Sequence, residues 1–270
     1  MIADCGLTKS GDAADHDGHV EPLAVVDDGP APIDPPRTTA RVRAVVQVLA
    51  CSGIPTQLLL VQVLALFGVR PFGEGDTLNA TWVFLVSLAD TVLLLALISG
   101  LLIANGESIR DVLLGARLAR TEIPLGLVSV VPVLLIAAAV LLTSQYVAPW
   151  LHNVPDNPLA GLLQSPRDRW LFAIVALVAG GVREEVQRAF LLTRFEQHLG
   201  GARVGLIVTS VAFGLGHLLQ GFDAALATGT LGFIWGAMYL WRRSSVAPIV
   251  SHAGFNGLEI ARYLVVGSGA

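Results

Sequence analysis

The chain has 270 residues, of which 54% are apolar and only 14% charged. Soluble domains carry about 25% charged residues, and a mean hydropathy of +0.68 with long uncharged runs excludes an ordinary soluble fold and points to one all-α membrane-embedded domain. The formal net charge of −4 hides an uneven spread: residues 1–36 hold eight acids against Lys9 alone, and the remainder is mildly basic. Cys5 and Cys51 form neither a disulfide framework nor a CxxC pair.

Residues 1–40 are expected to form a disordered acidic cytoplasmic tail. The stretch through IDPP (33–36) is polar and rich in Pro and Gly, and it has too little apolar surface to offset its ordering entropy. It lacks the basic start and apolar run of a signal peptide, and DHDGH (15–19) reads as solvated rather than metal-binding. Seven apolar segments then approach the roughly 20 residues a span needs: 44–69, 81–103, 124–147, 169–193, 203–220, 224–241 and 246–266. Residues 41–121 hold the first two and an amphipathic piece, SIRDVLLGARLAR (108–120), expected on the membrane surface. Residues 122–270 hold the remaining five. With the N-terminus cytoplasmic, the loop arginines favour the inner side, which predicts a multi-pass cell-membrane protein, N-in and C-out.

Ionisable groups inside spans are costly and usually face the bundle interior. Those present are Asp90, Glu184, Glu185, Arg188, His217, His252 and Glu259, with Asn256 beside them. All but Asp90 fall in the C-terminal third. In GGVREEVQRAF (180–190), Glu184 and Arg188 are four apart and Glu185 and Arg188 three apart, so the arginine can pair with one glutamate and leave the other free. In HAGFN, His252 and Asn256 share a face, and Phe213 and His217 repeat that spacing in FGLGH. Glycines 180, 181, 214, 216, 254 and 257 allow close helix approach. Three helices can thus bring a glutamate, two histidines and an amide to one point.

Glutamate with histidines suits water activation. A carboxylate of raised pKa takes a proton from water, and an imidazole and an amide N–H stabilise an oxyanion. Two histidines and one glutamate also make a zinc ligand set with a position open for water. Each group has a plainer role as well. Glu184, Glu185 and Arg188 can be a structural ion pair, His217 a core histidine, His252 and Asn256 an interhelical hydrogen-bond pair, Asp90 an interhelical partner and Glu259 a structural group. His152 and His198 read as loop residues.

The order EE…R, FxxxH, HxxxN resembles the CAAX protease and bacteriocin-processing (CPBP) family of intramembrane endopeptidases, to which the Ras-converting CAAX endopeptidases belong. The resemblance covers roughly residues 122–266, most strongly 180–257, and GTLGFIWGAMYLWRRSSVAPIVSHAGFN (229–256) is very like that family's last two helices. It implies catalytic roles for Glu184, Glu185, His217, His252 and Asn256: the glutamates activate water with help from His217, His252 and Asn256 hold the substrate carbonyl, and Arg188 orders the glutamates. In a metal scheme Glu184, His217 and His252 would bind Zn2+, while a metal-free scheme uses glutamate as general base; both stay open. One departure stands out. The family motif is EExxxR and this chain has EExxR, so a π-bulge or kink at Gly180–Gly181 is expected to reset the register. The choice of base between Glu184 and Glu185 stays open, with the i+4 arginine and the preceding glycines favouring Glu184.

The expectation is therefore a bundle of about seven transmembrane helices that hydrolyses a peptide bond at or within the membrane. Its partners would be a membrane-associated peptide or protein and the bilayer, with no nucleic acid. The arginine skew reads as prokaryotic. The alternatives are a catalytically inactive binding or scaffold protein of the same fold and a proton-coupled transporter. The absence of a matching polar cluster in the first half speaks against transport.

Overall fold

The computed structural model describes residues 37–72, 78–155, 158–163 and 165–266, so residues 1–36, with the acidic stretch and DHDGH, lie outside the described residues. Among the described residues the fold is all-α. The helices in chain order are α1 (Arg37–Ala50), α2 (Ile54–Leu66), α3 (Ala80–Ala104), α4 (Ala119–Val147), α5 (Pro166–Val175), a π-helical segment Ala176–Arg183, α6 (Glu184–His198), α7 (Ala202–Leu215), α8 (Phe222–Arg242) and α9 (Val246–Val266). Local chemistry sets several ends. Asn79 caps α3 by accepting from the Trp82 amide at 3.2 Å, and Ser165 caps α5 with Pro166 in the first turn. α1 begins at Arg37, inside the stretch assigned to the tail.

The span count differs from the expected seven. Three helices, α3, α4 and α8, are long and apolar enough to cross a bilayer, and a fourth span exists if α1 and α2, bent by 41° at Gly53, act as one. The other expected segments do not meet this test of length and composition, two because they carry polar groups and one because it is short. Residues 166–198 carry Arg167, Arg169, Arg183, Glu184, Glu185 and Arg188 in one continuous helical rod, and α9 carries His252, Asn256 and Glu259. α7 is apolar but has only 14 residues. α4 is the opposite case: Leu127, Val128, Val131 and Leu135 are exposed along it, as a lipid-facing helix requires.

The π segment sits at the centre, against α3, α5 and α9, while α9 also packs on α4 and α8 and α7 lies between α6 and α8. Small residues permit this. A Cβ on Gly181 would come 2.8 Å from the Ala253 Cβ, and one on Gly214 would come 2.6 Å from the Ala225 carbonyl. A core of Leu94, Ile98 and Leu102 from α3 with Phe190 and Leu192 from α6 fills one side of the bundle.

The expected amphipathic helix over 108–120 is replaced by a single π turn, Arg110–Leu114, that ends at Gly115 with φ 67°. It does not ride free on a surface. Leu113 is buried, its carbonyl accepts from the Ser245 amide at 2.9 Å, and the Val112 carbonyl accepts from the Tyr239 hydroxyl at 2.8 Å. The segment is a strap across the α8–α9 connection. At the same end of the bundle Arg242 pairs with Glu122 at 2.6 Å, Arg194 with Glu107, and Arg243 with Glu196. These arginines belong to the set that the loop-charge pattern places inside.

Asp90 is 1% exposed and is an interhelical partner. It accepts from Thr56 and pairs with Arg183 at 3.3 Å, tying α2 and α3 to the end of the π segment. Breaking a buried pair leaves an uncompensated charge, so Asp90→Ala is expected to destabilise by about 3–5 kcal/mol. The double variant Asp90→Ala/Arg183→Leu should recover most of that loss, measured as thermal unfolding midpoints in one detergent. Equal midpoints for wild type and Asp90→Ala would deny the pair a structural role.

Candidate active site

The site is built where the rod 166–198 changes from π to α geometry. In a π turn the ladder takes in one extra residue, and the expected register change at Gly180–Gly181 is present as the π segment Ala176–Arg183. The next three side chains then leave the rod in different directions. Arg183 reaches Asp90 on α3. Glu184 faces α9 and is partly exposed. Glu185 turns into the core, 2% exposed.

Glu185 is the fully engaged carboxylate. Its Oε1 pairs with the Arg188 guanidinium and with His252 Nδ1 at 2.8 Å. Arg188 is buried too, with its guanidinium carbon 4.4 Å from the centre of the Phe213 ring, a cation–π geometry. Arg188 therefore pairs three residues back, not with Glu184 four residues back as the spacing argument for Glu184 supposed. Glu184 keeps a weaker environment: Arg183 at 3.7 Å and His252 Nε2 at 3.9 Å. Both distances are beyond a direct hydrogen bond, and a water can bridge such a gap.

His252 is thus gripped at Nδ1 by Glu185 and faces Glu184 with Nε2. Its ring stacks on Trp235, centroids 3.8 Å apart at 13°, and Trp235 is itself fixed by donating to Ser251 Oγ at 3.0 Å. Trp235 was missed at the sequence level. Nothing in the pattern of α8, which carries Trp241 as well, set Trp235 apart. Asn256 lies one turn beyond His252 and donates from Nδ2 to the Ala176 carbonyl at 2.9 Å. The widened π segment is where that carbonyl is open to a side chain. A Cβ on Gly180 would come 2.5 Å from Asn256 Nδ2, so this glycine makes room for the amide.

His217 is set further off. It follows the end of α7, and its Nδ1 bonds to the Phe213 carbonyl at 2.8 Å, which leaves Nε2 as its nitrogen for a ligand. The Phe213 ring stands between the two histidines, edge-on to both, 4.9 Å from His217 and 6.0 Å from His252. The ligand set Glu184, His217 and His252 is not drawn together: among the described residues no three His, Cys, Asp or Glu side chains form a group that could hold a metal ion. The side chains as arranged do not fit a three-ligand zinc centre. Glu259 pairs with Arg262 at 3.1 Å in a half-exposed surface bridge. His152 is more than a loop residue, since its Nδ1 meets Asp223 at 2.8 Å.

Residues 166–258 match a family model described as Rce1-like, type II CAAX prenyl endopeptidase Rce1-like. The match spans the rod, α7, α8 and the His252–Asn256 turn of α9, so the likeness to the CAAX protease family read from the motifs holds over the segment that carries the cluster. Residues 166–258 are thus similar to a family whose description is that of an endopeptidase. No curated protein matches the chain, and no solved structure matches it.

The two glutamates should respond differently to substitution. Glu185→Ala strips a buried arginine and a buried histidine of their partner and is expected to cost about 3–5 kcal/mol of stability. Glu184→Gln should change stability by less than about 1 kcal/mol. Chemical denaturation of the two variants beside wild type in detergent checks the ordering, and equal losses would contradict it.

Proposed function

We propose that the chain is a membrane endopeptidase that hydrolyses a peptide bond with water activated by Glu184. The observation that carries the reading is His252, held at Nδ1 by Glu185, stacked on Trp235, and facing Glu184 through Nε2. Glu185 already accepts two charge-assisted bonds, which makes it a positioning residue. Glu184 is the carboxylate with room for a water.

Glu184 takes a proton from water as the oxygen attacks the carbonyl carbon. The oxyanion that forms lies against His252 Nε2–H and the second Nδ2 hydrogen of Asn256, the first being given to Ala176. Glu185 at Nδ1 and the stacked Trp235 ring hold the imidazole in place for that contact. As the C–N bond breaks, Glu184 passes its proton to the leaving amine. His217 approaches from across Phe213 and assists at the rim. Arg188 holds Glu185 in place and takes no part in proton transfer.

The substrate is a membrane-associated peptide or protein. The matching family's description concerns CAAX prenyl substrates, so a prenylated tail peptide is the first probe, alongside a library of unmodified membrane peptides. Purified protein in detergent should cleave at least one class. Glu184→Gln and His252→Ala should each lower kcat/KM by roughly a hundredfold to ten-thousandfold, with Asn256→Ala about a hundredfold. Each reaction is run with and without a chelator, and chelator-resistant cleavage supports the metal-free scheme. Cleavage that survives Glu184→Gln would remove this glutamate from the mechanism. No cleavage by folded wild type across both probe classes would favour the inactive binding-protein reading.

A further inference from the structure

A second polar site lies away from the glutamates, at the end of the bundle where α1, the α3 C-terminus and the α6 C-terminus meet. A cavity of about 460 Å³ opens there, lined by Arg43, Gln47, Asn105, Glu107, Arg194 and Gln197, with His198 at its rim. A water's share of liquid volume is about 30 Å³, so the space is far larger than a bare inorganic ion fills. It takes a polar group of organic size.

The unspent groups in this cavity are donors. Glu107 is its one carboxylate, and it is committed. Arg194 bonds it through both terminal nitrogens, Gln197 at 3.2 Å and Asn105 at 3.4 Å. Burial pushes the Glu107 pKa up, but the Arg194 and Gln197 hydrogen bonds outweigh it and hold the carboxyl below the usual range. Arg194 is 2% exposed, yet its Nε is buried with no hydrogen-bond partner. A buried charged donor left unmade is expensive. Arg43 adds an exposed guanidinium with no ion-pair partner among the described residues. Arg194 and Glu107 neutralise each other, so Arg43 leaves the cavity with a net positive charge that favours an anion.

Its setting narrows the ligand. On the same helix as Arg43, the side chains of Val42, Val45, Val46 and Leu49 are exposed and apolar, so hydrocarbon can run alongside the polar cavity. Basic pockets between membrane helices take phosphate headgroups, and a tetrahedral phosphate offers several acceptors to the arginines that α1 and α6 bring to the cavity. We propose that this cavity binds a phosphate-ester anion, with the phosphate between Arg43 and Arg194 and the ester body in the remaining space. Two sources carry that chemistry: the headgroup of an anionic glycerophospholipid and a soluble glycerol phosphate.

Native mass spectrometry of the full chain, released from detergent, separates them. The probes are phosphatidylglycerol, phosphatidylcholine and glycerol 3-phosphate. The variants are Arg43→Glu, exposed and outside every packed contact described above, and Arg262→Glu as a charge-matched control in α9. Retention of phosphatidylglycerol over phosphatidylcholine, weakened about fivefold or more by Arg43→Glu and not by Arg262→Glu, supports the site with a lipid source. The same variant pattern with glycerol 3-phosphate supports it with a soluble source. Equal retention of both lipids with no uptake of glycerol 3-phosphate, or equal effects of the two variants, overturns the proposal. These readouts do not involve peptide cleavage, so they stand or fall apart from the peptidase reading.

Discussion

The burial of Glu185 is the constraint on which the rest of the structure depends. A carboxylate in a membrane protein's interior costs several kcal/mol unless it is paired and hydrogen-bonded. Glu185 meets that condition only through Arg188 on its own helix and His252 on α9. Arg188 must then be accommodated in turn. It lies under Phe213 of α7 and beside two glycines of α8, where a Cβ on Gly236 would come 3.3 Å from its Cδ and one on Gly232 would come 3.5 Å from a terminal nitrogen. One buried negative charge therefore fixes the approach of four helices. That is why the small residues of α8 lie where they do.

The π segment solves a problem of direction. Successive residues on a helix are about 100° apart, so Arg183, Glu184 and Glu185 cannot share a target. Each has its own: Asp90 on α3, the open face toward His252 Nε2, and the Arg188–His252 pair. The extra residue taken into the ladder ahead of them sets that phase. The same widening puts the Ala176 carbonyl where Asn256 can bind it. Gly180 and Gly181 allow the distortion and also the contact, since both face α9.

Much of this was legible in the sequence, for a physical reason. A membrane chain rejects charge, so every ionisable residue inside an apolar run marks a place where the fold has built a partner. Asp90, Glu185, Arg188 and His252 all stood out on that ground, while the register change at the paired glycines was suggested by the spacing of EExxR against the EExxxR of the family it resembles. The pairing itself was not legible. Glu184, four residues from Arg188, and Glu185, three residues from it, are both candidates for its partner until the π turn chooses. Length and composition alone single out three or four of the seven expected spans, because hydropathy averages over a helix, the groups that give 166–198 and α9 their chemistry depress the average, and α7 is short. Residues 108–120 misled because an amphipathic pattern says that one face is buried and not against what; Leu113 found protein at the α8–α9 connection. Trp235 was silent because an aromatic residue in an apolar helix carries no excess cost to explain.

The same cost argument separates holding groups from acting ones. Glu185, Glu107 and Asp90 each accept several bonds and have little left to offer a ligand. Their arginines are fixed by them. Glu184 is different: it sits beside a histidine at a distance that no direct bond closes. Arg194 Nε is different in the opposite sense, a buried donor with nothing to donate to. In water such loose ends would be solvated and would mean little. Inside the bundle, the first is an acceptor without a direct donor and the second a donor without an acceptor, a state that Arg183 Nε and Trp82 Nε1 share. The first is what proton abstraction from water requires, and the second is what anion binding requires. The two ends of the α6 rod are thus polarised toward different chemistry, with Phe190 and Leu192 of the apolar core between them.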